Sequence, residues 1–133
     1  MVYLNNTMDI KGKKIVIVED DEHIAKIYKI QFDKGGILNF IASDGEEGLA
    51  MITAEKPDLV ILDLMLPKKD GFWVLEEMKK NPDLSKISVI VLSNLGQKVD
   101  KDRAMALGAV EYLVKVDYSI GDIINKINTY LVA

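Results

Sequence analysis

The stretch KKIVIVEDDEH, residues 13–23, runs from an apolar segment straight into consecutive carboxylates. Residues 15–18 are β-branched without interruption, which is typical of a strand buried on both faces of a parallel sheet. The acids that follow repel each other and are costly to remove from water; they are Glu19, Asp20, Asp21 and Glu22. The last two suit the N-terminus of a following helix, whose dipole favours negative charge. The first two lie at the strand end itself and need another explanation.

Apolar runs and amphipathic segments alternate along the rest of the chain. Their patterns predict strands at 14–18, 38–42, 59–62, 89–92 and 110–114. Helices are predicted at 22–33, 45–55, 71–80, 98–107 and 120–131, with Ser43 or Asp44 capping the second and Ser119 with Asp122 forming a capping box in the last. Strict alternation with short connections predicts an α/β fold with a parallel sheet and right-handed crossovers. Alternation alone leaves the strand order open.

Length and composition narrow the class of protein. The chain has 133 residues, a formal charge of −4 and no cysteine. We expect one domain over 1–133, with its core at about 13–131 behind an N-terminal extension at 1–12. The missing cysteines exclude disulfides, thiolate metal sites and cysteine nucleophiles. Because there is no basic stripe, signal-peptide pattern or apolar run of about 20 residues, we expect a cytoplasmic protein without direct nucleic-acid or membrane contacts. The chain could be a piece of a longer protein.

Polar side chains follow four of the five predicted strands. Glu19 and Asp20 come after the first strand, Asp63 after the third, Ser93 after the fourth and Lys115 after the fifth. Any one of them alone is equally typical of a solvent-exposed loop residue. Because parallel strands place their carboxyl ends at one edge, where such sheets bind ligands, we expect these side chains to form one site.

These residue types suit phosphoryl chemistry. Clustered carboxylates without histidine or cysteine ligands favour a hard divalent cation, above all Mg²⁺. A lysine binds phosphate as a point charge, and a hydroxyl can donate a hydrogen bond to a phosphoryl oxygen. A carboxylate can also act as the nucleophile and form an aspartyl phosphate. The set therefore predicts a phosphoryl-transfer site that works through positioning and charge neutralisation.

Four motifs, together with their spacing, resemble one known family. They are IVIVEDDE, PDLVILDLMLPKKDGFWVL, ISVIVLSN and GAVEYLVK. As a set they resemble the receiver domain of two-component response regulators, over roughly residues 13–131. The resemblance implies a flavodoxin-like fold, in which a five-stranded parallel sheet of order 2-1-3-4-5 is flanked by five helices.

The resemblance also implies roles at the site. Asp63 matches the phosphoacceptor and Asp20 the direct Mg²⁺ ligand, with Glu19 acting on the metal through water. The backbone carbonyl of Met65 would be a further metal ligand. Lys115 would pair with Asp63 and with the phosphoryl group.

Two further positions match the switch that senses the phosphate. Ser93 corresponds to the hydroxyl residue that moves toward the phosphoryl oxygen, and Tyr112 to the aromatic residue that moves inward with it. Asn94 stands where a smaller residue is commoner, and we expect it to contribute to phosphate binding. Val116 replaces the family's usual proline, which predicts a trans bond and a more mobile loop. Because Met65 is apolar where a water-guiding polar residue is frequent, we expect a long-lived aspartyl phosphate.

The resulting hypothesis is a stand-alone receiver that takes phosphate from a histidine kinase or phosphotransfer protein. It would catalyse only its own phosphorylation and dephosphorylation, act as a monomer or a phosphorylation-dependent homodimer, and contact a downstream protein through the fourth helix, fifth strand and fifth helix around Tyr112. One alternative is a degenerate receiver that binds partners without phosphorylation. Another is a phosphatase of the haloacid-dehalogenase type, which would need aspartate where this chain has Met65. The sequence identifies neither kinase nor target.

Overall fold

The computed structural model describes residues 10–132, in which strands and helices alternate as predicted. The strands are β1 (Lys14–Val18), β2 (Leu38–Ala42), β3 (Leu59–Leu62), β4 (Ser88–Ser93) and β5 (Glu111–Val114). The helices are α1 (Glu22–Lys34), α2 (Gly45–Glu55), α3 (Gly71–Lys80), α4 (Lys98–Ala106) and α5 (Ile120–Val132). Differences from the prediction are confined to one residue at some element ends and to an unpredicted 3₁₀ turn, Lys115–Asp117. Most of the predicted extension, residues 1–9, lies outside the described residues.

The strands form one parallel sheet of order β2-β1-β3-β4-β5, which confirms the expected topology. In the register of the sheet, Val18 pairs with both Ala42 and Leu62, and Leu62 pairs with Val91. Ser93 pairs with Val114 at the far side. The carboxyl ends of β1, β3, β4 and β5 therefore meet at one edge, where the polar residues singled out in the sequence follow.

The alternating strand residues feed two apolar cores, one on each face of the sheet. One core packs against α2 and α3 and includes Val16, Val18, Val60, Leu62, Val89 and Val91. The other packs against α1 and α5 and includes Ile15, Ile17, Leu59, Ile61, Ile90 and Leu92. Ile10 is buried in the second core although it precedes the predicted core boundary. Both faces of the central strands are thus covered, as continuous apolar runs require.

Aspartate side chains cap the starts of α1, α2 and α3, the last through Asp70, which accepts from the Trp73 N–H. The Asp21 carboxylate accepts hydrogen bonds from the N–H groups of His23 and Ile24 at the start of α1. Asp44, rather than Ser43, caps α2 by accepting from the Glu47 N–H at 2.8 Å. Such caps satisfy N–H groups that have no partner within the helix. Asp21 is therefore part of the helix start rather than of the sheet-edge cluster.

None of the helices within residues 10–132 is long and apolar enough to cross a membrane.

Replacing Ile127 by alanine tests the core beneath the sheet. Ile127 in α5 is fully buried, so Ile127→Ala is expected to lower the free energy of unfolding by about 2–5 kcal/mol through lost burial and a residual cavity. Urea denaturation measures the change. The matched control is Ile30→Ala in α1, where the side chain is 44% exposed and the change should stay within about 0.5 kcal/mol. Equal effects of the two substitutions would contradict this core assignment.

Candidate functional site

Three carboxylates converge at the carboxyl edge of the sheet. Glu19, Asp20 and Asp63 each offer an oxygen, and these oxygens lie within 4.8 Å of one another. Backbone hydrogen bonds continue the sheet into the site, because the Glu19 N–H donates to Ala42 at 2.9 Å and the Asp63 N–H donates to Val18 at 3.0 Å. Glu19 and Asp63 are buried whereas Asp20 is exposed. The cluster thus has a rigid floor and one acid facing water.

Lys115 connects the two buried acids. Its Nζ lies 2.5 Å from Glu19 Oε1 and 2.7 Å from Asp63 Oδ2, and its side chain is only 12% exposed. These are charge-assisted hydrogen bonds, which are stronger than neutral ones. When all four groups are ionised, one ammonium faces three carboxylates. The site therefore retains excess negative charge on the side of Asp20.

The pKa values of Glu19 and Lys115 reflect the opposing effects of burial and of their ion pair. Burial raises the pKa of Glu19 above its ordinary value, although hydrogen bonds from Lys115 and from the Asp21 N–H act against it. For Lys115, burial alone would lower the pKa, but the hydrogen bonds and charges of Asp63 and Glu19 raise it overall. Lys115 therefore carries its charge at neutral pH.

Asp63 is held through both of its carboxylate oxygens. Oδ1 accepts from Ser93 Oγ at 2.8 Å and from the Met65 N–H at 3.0 Å, while Oδ2 accepts from Lys115. Ser93 is fully buried. Asp63 accepts three hydrogen bonds, one more than Glu19, and these bonds fix the orientation of its carboxylate.

Ser93 is linked onward to Tyr112 through the backbone of Leu95. The Leu95 N–H lies 3.4 Å from Ser93 Oγ, and the Tyr112 hydroxyl donates to the Leu95 carbonyl at 2.5 Å. Burial, with smaller contributions from the charges of Asp100 and Asp63, raises the pKa of Tyr112 to about 12. The structure therefore joins the two predicted switch residues through one backbone segment.

Other predicted residues lie at the rim. The side chain of Asn94 is exposed, and no hydrogen bond within residues 10–132 involves it. Met65 is 56% exposed and Val116 79% exposed. The peptide bond before Val116 is trans, like every other in the described part of the chain. The role predicted for Asn94 in phosphate binding and the mobility predicted for the loop at Val116 stay predictions.

Two contacts were missed from sequence. One is the Glu19–Lys115 ion pair, since the sequence indicated only Asp63 as the lysine's partner. The other is the Leu95 carbonyl that receives the Tyr112 hydroxyl. The ion pair could have been predicted from sequence, because Glu19 directly follows β1. The backbone carbonyl could not, since no residue type marks a carbonyl as an acceptor.

Comparison with known proteins identifies the family. The sequence model of one protein family, the response regulator receiver domain, matches residues 15–128 of this chain. The chain belongs to the response regulator receiver domain family. Its class is therefore a phosphorylation-activated signalling domain of two-component systems rather than an enzyme with a separate substrate. The degenerate-receiver and phosphatase alternatives receive no support from these comparisons.

Relatives and solved structures agree on this class. The probable transcriptional regulator ycf27 of Cyanophora paradoxa is 40% identical over 108 residues, covering 81% of this chain and 44% of that protein. The receiver domain of Francisella response regulator 1452 superposes with a TM-score of 0.81 at 31% identity, covering 90% of this chain and 97% of that one. The Mn²⁺-bound form of response regulator Rcp1 gives 0.75 at 31% identity, covering 88% and 90%. The chain spans less than half the length of the curated relatives it matches.

Removing the lysine tests how the buried acids are held. Lys115→Met is expected to lower the free energy of unfolding by about 3 kcal/mol in Mg²⁺-free buffer at pH 7, because it leaves two buried carboxylates without their cation. The pKa of Lys115 is higher in the folded than in the unfolded protein. Its contribution to the free energy of unfolding is therefore complete below the ordinary pKa of 10.5 and is lost as pH rises through the raised pKa of the folded state. The gap between wild type and variant, measured by urea denaturation, should therefore narrow above that pH.

The matched control is Lys126→Met, which removes a partly exposed pair with Glu111 at 3.6 Å. That change should stay within about 1 kcal/mol. A Lys115→Met variant as stable as the control would contradict the assigned contact.

Proposed function

We propose that Asp63 is the residue that accepts the phosphoryl group. The observation that carries this is the setting of its carboxylate, which is buried, oriented by Lys115, Ser93 and the Met65 N–H, and next to two further acids. Glu19 is already committed to Lys115 and the Asp21 N–H, and Asp20 is exposed. Asp63 therefore combines fixed orientation with neighbouring groups that can neutralise an incoming phosphate.

The same residues suit Mg²⁺. The donor set consists of hard oxygens, namely the carboxylates of Glu19, Asp20 and Asp63, to which we add the Met65 carbonyl as implied by the resemblance. Bound there, Mg²⁺ would supply the positive charge that phosphoryl transfer needs. The similar response regulator Rcp1 has a Mn²⁺-bound form, which supports a divalent cation as a ligand of this fold. The excess negative charge around Asp20 favours cation binding independently.

In the proposed step, an Asp63 oxygen attacks phosphorus while the bond to the donor breaks. For a phosphohistidine donor, a P–O bond forms, the P–N bond breaks and the imidazole takes the electron pair. Lys115 stays protonated and faces the transferred group, and Ser93 Oγ can turn its donated hydrogen bond from Asp63 to a phosphoryl oxygen. The chain would promote only this reaction and the later hydrolysis on itself.

A change at Ser93 would reach the outer surface through Tyr112. Ser93, Leu95 and Tyr112 form one hydrogen-bonded path toward α4, β5 and α5. α4 is loosely built, because Ala104 is its only buried residue and no side chain caps its start. It is held to α3 by Arg103, which bonds Glu76 at 3.1 Å and lies over the Phe72 ring at 4.1 Å. This favours α4–β5–α5 as the face that a downstream protein or a second receiver contacts.

The upstream partner in this proposal is a histidine kinase or phosphotransfer protein, and the cytoplasmic location expected from the sequence stays a prediction. Cell fractionation and phosphotransfer profiling test these two points.

Asp63→Asn tests the acceptor assignment. With Mg²⁺ and acetyl phosphate, the wild type is expected to gain one phosphoryl group by intact-mass spectrometry, whereas Asp63→Asn gains none because an amide is a poor nucleophile. Beryllofluoride should shift the amide NMR signals of Ser93, Leu95 and Tyr112 in the wild type alone. Asp83→Asn, at an exposed aspartate in the turn after α3, is the matched control and should behave like wild type. Phosphorylation that persists in Asp63→Asn would contradict the assignment.

Met65→Asn tests what limits the lifetime of the phosphate. Since the exposed apolar side chain of Met65 cannot orient water, we expect a wild-type aspartyl phosphate that lasts well beyond seconds at neutral pH. Asparagine should shorten the half-life several-fold by offering hydrogen bonds to the attacking water, as measured by loss of the phosphorylated mass after acetyl phosphate is removed. A wild-type lifetime of seconds would refute this expectation.

A further inference from the structure

The loop between β3 and α3 packs its backbone against the first residue of α2. A Cβ added at Gly45 would lie 2.0 Å from the carbonyl oxygen of Lys69 and 2.7 Å from its carbonyl carbon. Real Cβ atoms essentially never come within 3.0 Å of another heavy atom. Because the obstacle is backbone, it cannot rotate away as a flexible side chain would. The contact is therefore available to glycine alone.

The other end of this β3–α3 loop, residues 63–70, is closed by a second glycine. A Cβ at Gly71 would lie 2.4 Å from the Asp63 carbonyl oxygen and 2.7 Å from Leu64 Cα. The Gly71 N–H donates to the Leu64 carbonyl at 3.0 Å. The loop thus returns to its own base, and its outer part rests on Gly45.

A nearby ion pair adds little to this support. Lys68 has a φ of 65° and its Nζ lies 3.6 Å from Asp44 Oδ2, but the Lys68 side chain is 65% exposed. Exposed pairs of this kind contribute little stability. Asp44 acts mainly as the cap of α2. The stiff link between α2 and the loop is the backbone contact at Gly45.

We propose that Gly45 is a positioning residue for the cation site, acting through the β3–α3 loop. The loop contains Asp63 and Met65, whose N–H holds Asp63 Oδ1. Mg²⁺ requires near-ideal octahedral geometry, with ligand oxygens at about 2.0–2.1 Å. A displacement of the loop that lengthens these distances therefore weakens Mg²⁺ binding. This inference rests on the proposed function, since it takes the Mg²⁺ site of that proposal as given.

Gly45→Ala is the direct test. To restore a tolerable contact, the loop and α2 must separate by about 1 Å, which exceeds what an octahedral site absorbs. Changes in groups that orient metal ligands typically weaken binding by about 10–100-fold, and we expect at least the lower figure here. Isothermal titration calorimetry with MgCl₂ measures the dissociation constant of each variant.

Two controls separate positioning from general damage. Gly121→Ala makes the same change in the first turn of α5, where the nearest atom is Ser119 Oγ at 3.9 Å, and should leave Mg²⁺ affinity unchanged. Ile127→Val lowers stability from the opposite face of the sheet and should also leave affinity unchanged. Equal Mg²⁺ affinity in Gly45→Ala and wild type overturns the inference while leaving the proposed function intact. A wild type that binds no Mg²⁺ overturns the proposed function itself.

A measurement on the unaltered chain covers the case in which Gly45→Ala does not fold. Coupling is reciprocal, so if α2 positions the loop, Mg²⁺ must also stabilise the start of α2. Exchange of the Glu47 and Gly48 amides, which are bonded to Asp44, should slow on Mg²⁺ addition. The Asp122 and Ile123 amides, bonded to Ser119 at the start of α5, should not respond. Unchanged exchange at Glu47 and Gly48 overturns the inference.

Discussion

The ion pairs of Lys115 with Glu19 and Asp63 are the contacts on which the rest of the site depends. The three groups come from the ends of β5, β1 and β3, so the sheet order places them together although they are far apart in sequence. A buried ion cluster is a weak source of stability: replacing all of its members by apolar residues is often neutral or better, although removing one partner alone is costly. Stability therefore does not explain why acids are concentrated here, whereas the proposed site for a cation and a phosphoryl group would.

The apolar strands and the charged edge are two results of one pattern. Strands buried on both faces leave only their ends for polar residues, and a parallel sheet collects those ends at one edge. Glycine at positions 45 and 71 lets the β3–α3 loop fold down beside them. From this edge, Ser93 and Tyr112 connect to α4, the helix least anchored by buried apolar side chains. In the proposed function, a change of charge at Asp63 thus has a short path to a helix with a single buried residue, Ala104.

Most of the fold could be predicted from sequence because strong periodicity marks its elements. The runs at β1, β3 and β4 are continuous and β-branched, and the site residues stand directly behind them. Strand order and residue roles came from the family resemblance, not from the pattern. What escaped prediction depends on three-dimensional proximity: the Glu19–Lys115 pair, the Leu95 carbonyl and the close backbone contact at Gly45. Asp44 rather than Ser43 as the cap of α2 was likewise open, since both residue types cap helices.

In the proposed function, Glu19, Asp20 and Asp63 crowd together because they bind a divalent cation. Urea unfolding of the wild type over a series of Mg²⁺ concentrations tests it most directly. The free energy of unfolding should rise by about 1.4 kcal/mol for each tenfold increase in Mg²⁺ above the dissociation constant. In Asp20→Asn the rise should begin only at much higher Mg²⁺, while stability without Mg²⁺ should increase because one repelling charge is gone. A wild-type stability that does not respond to Mg²⁺ would contradict the claim.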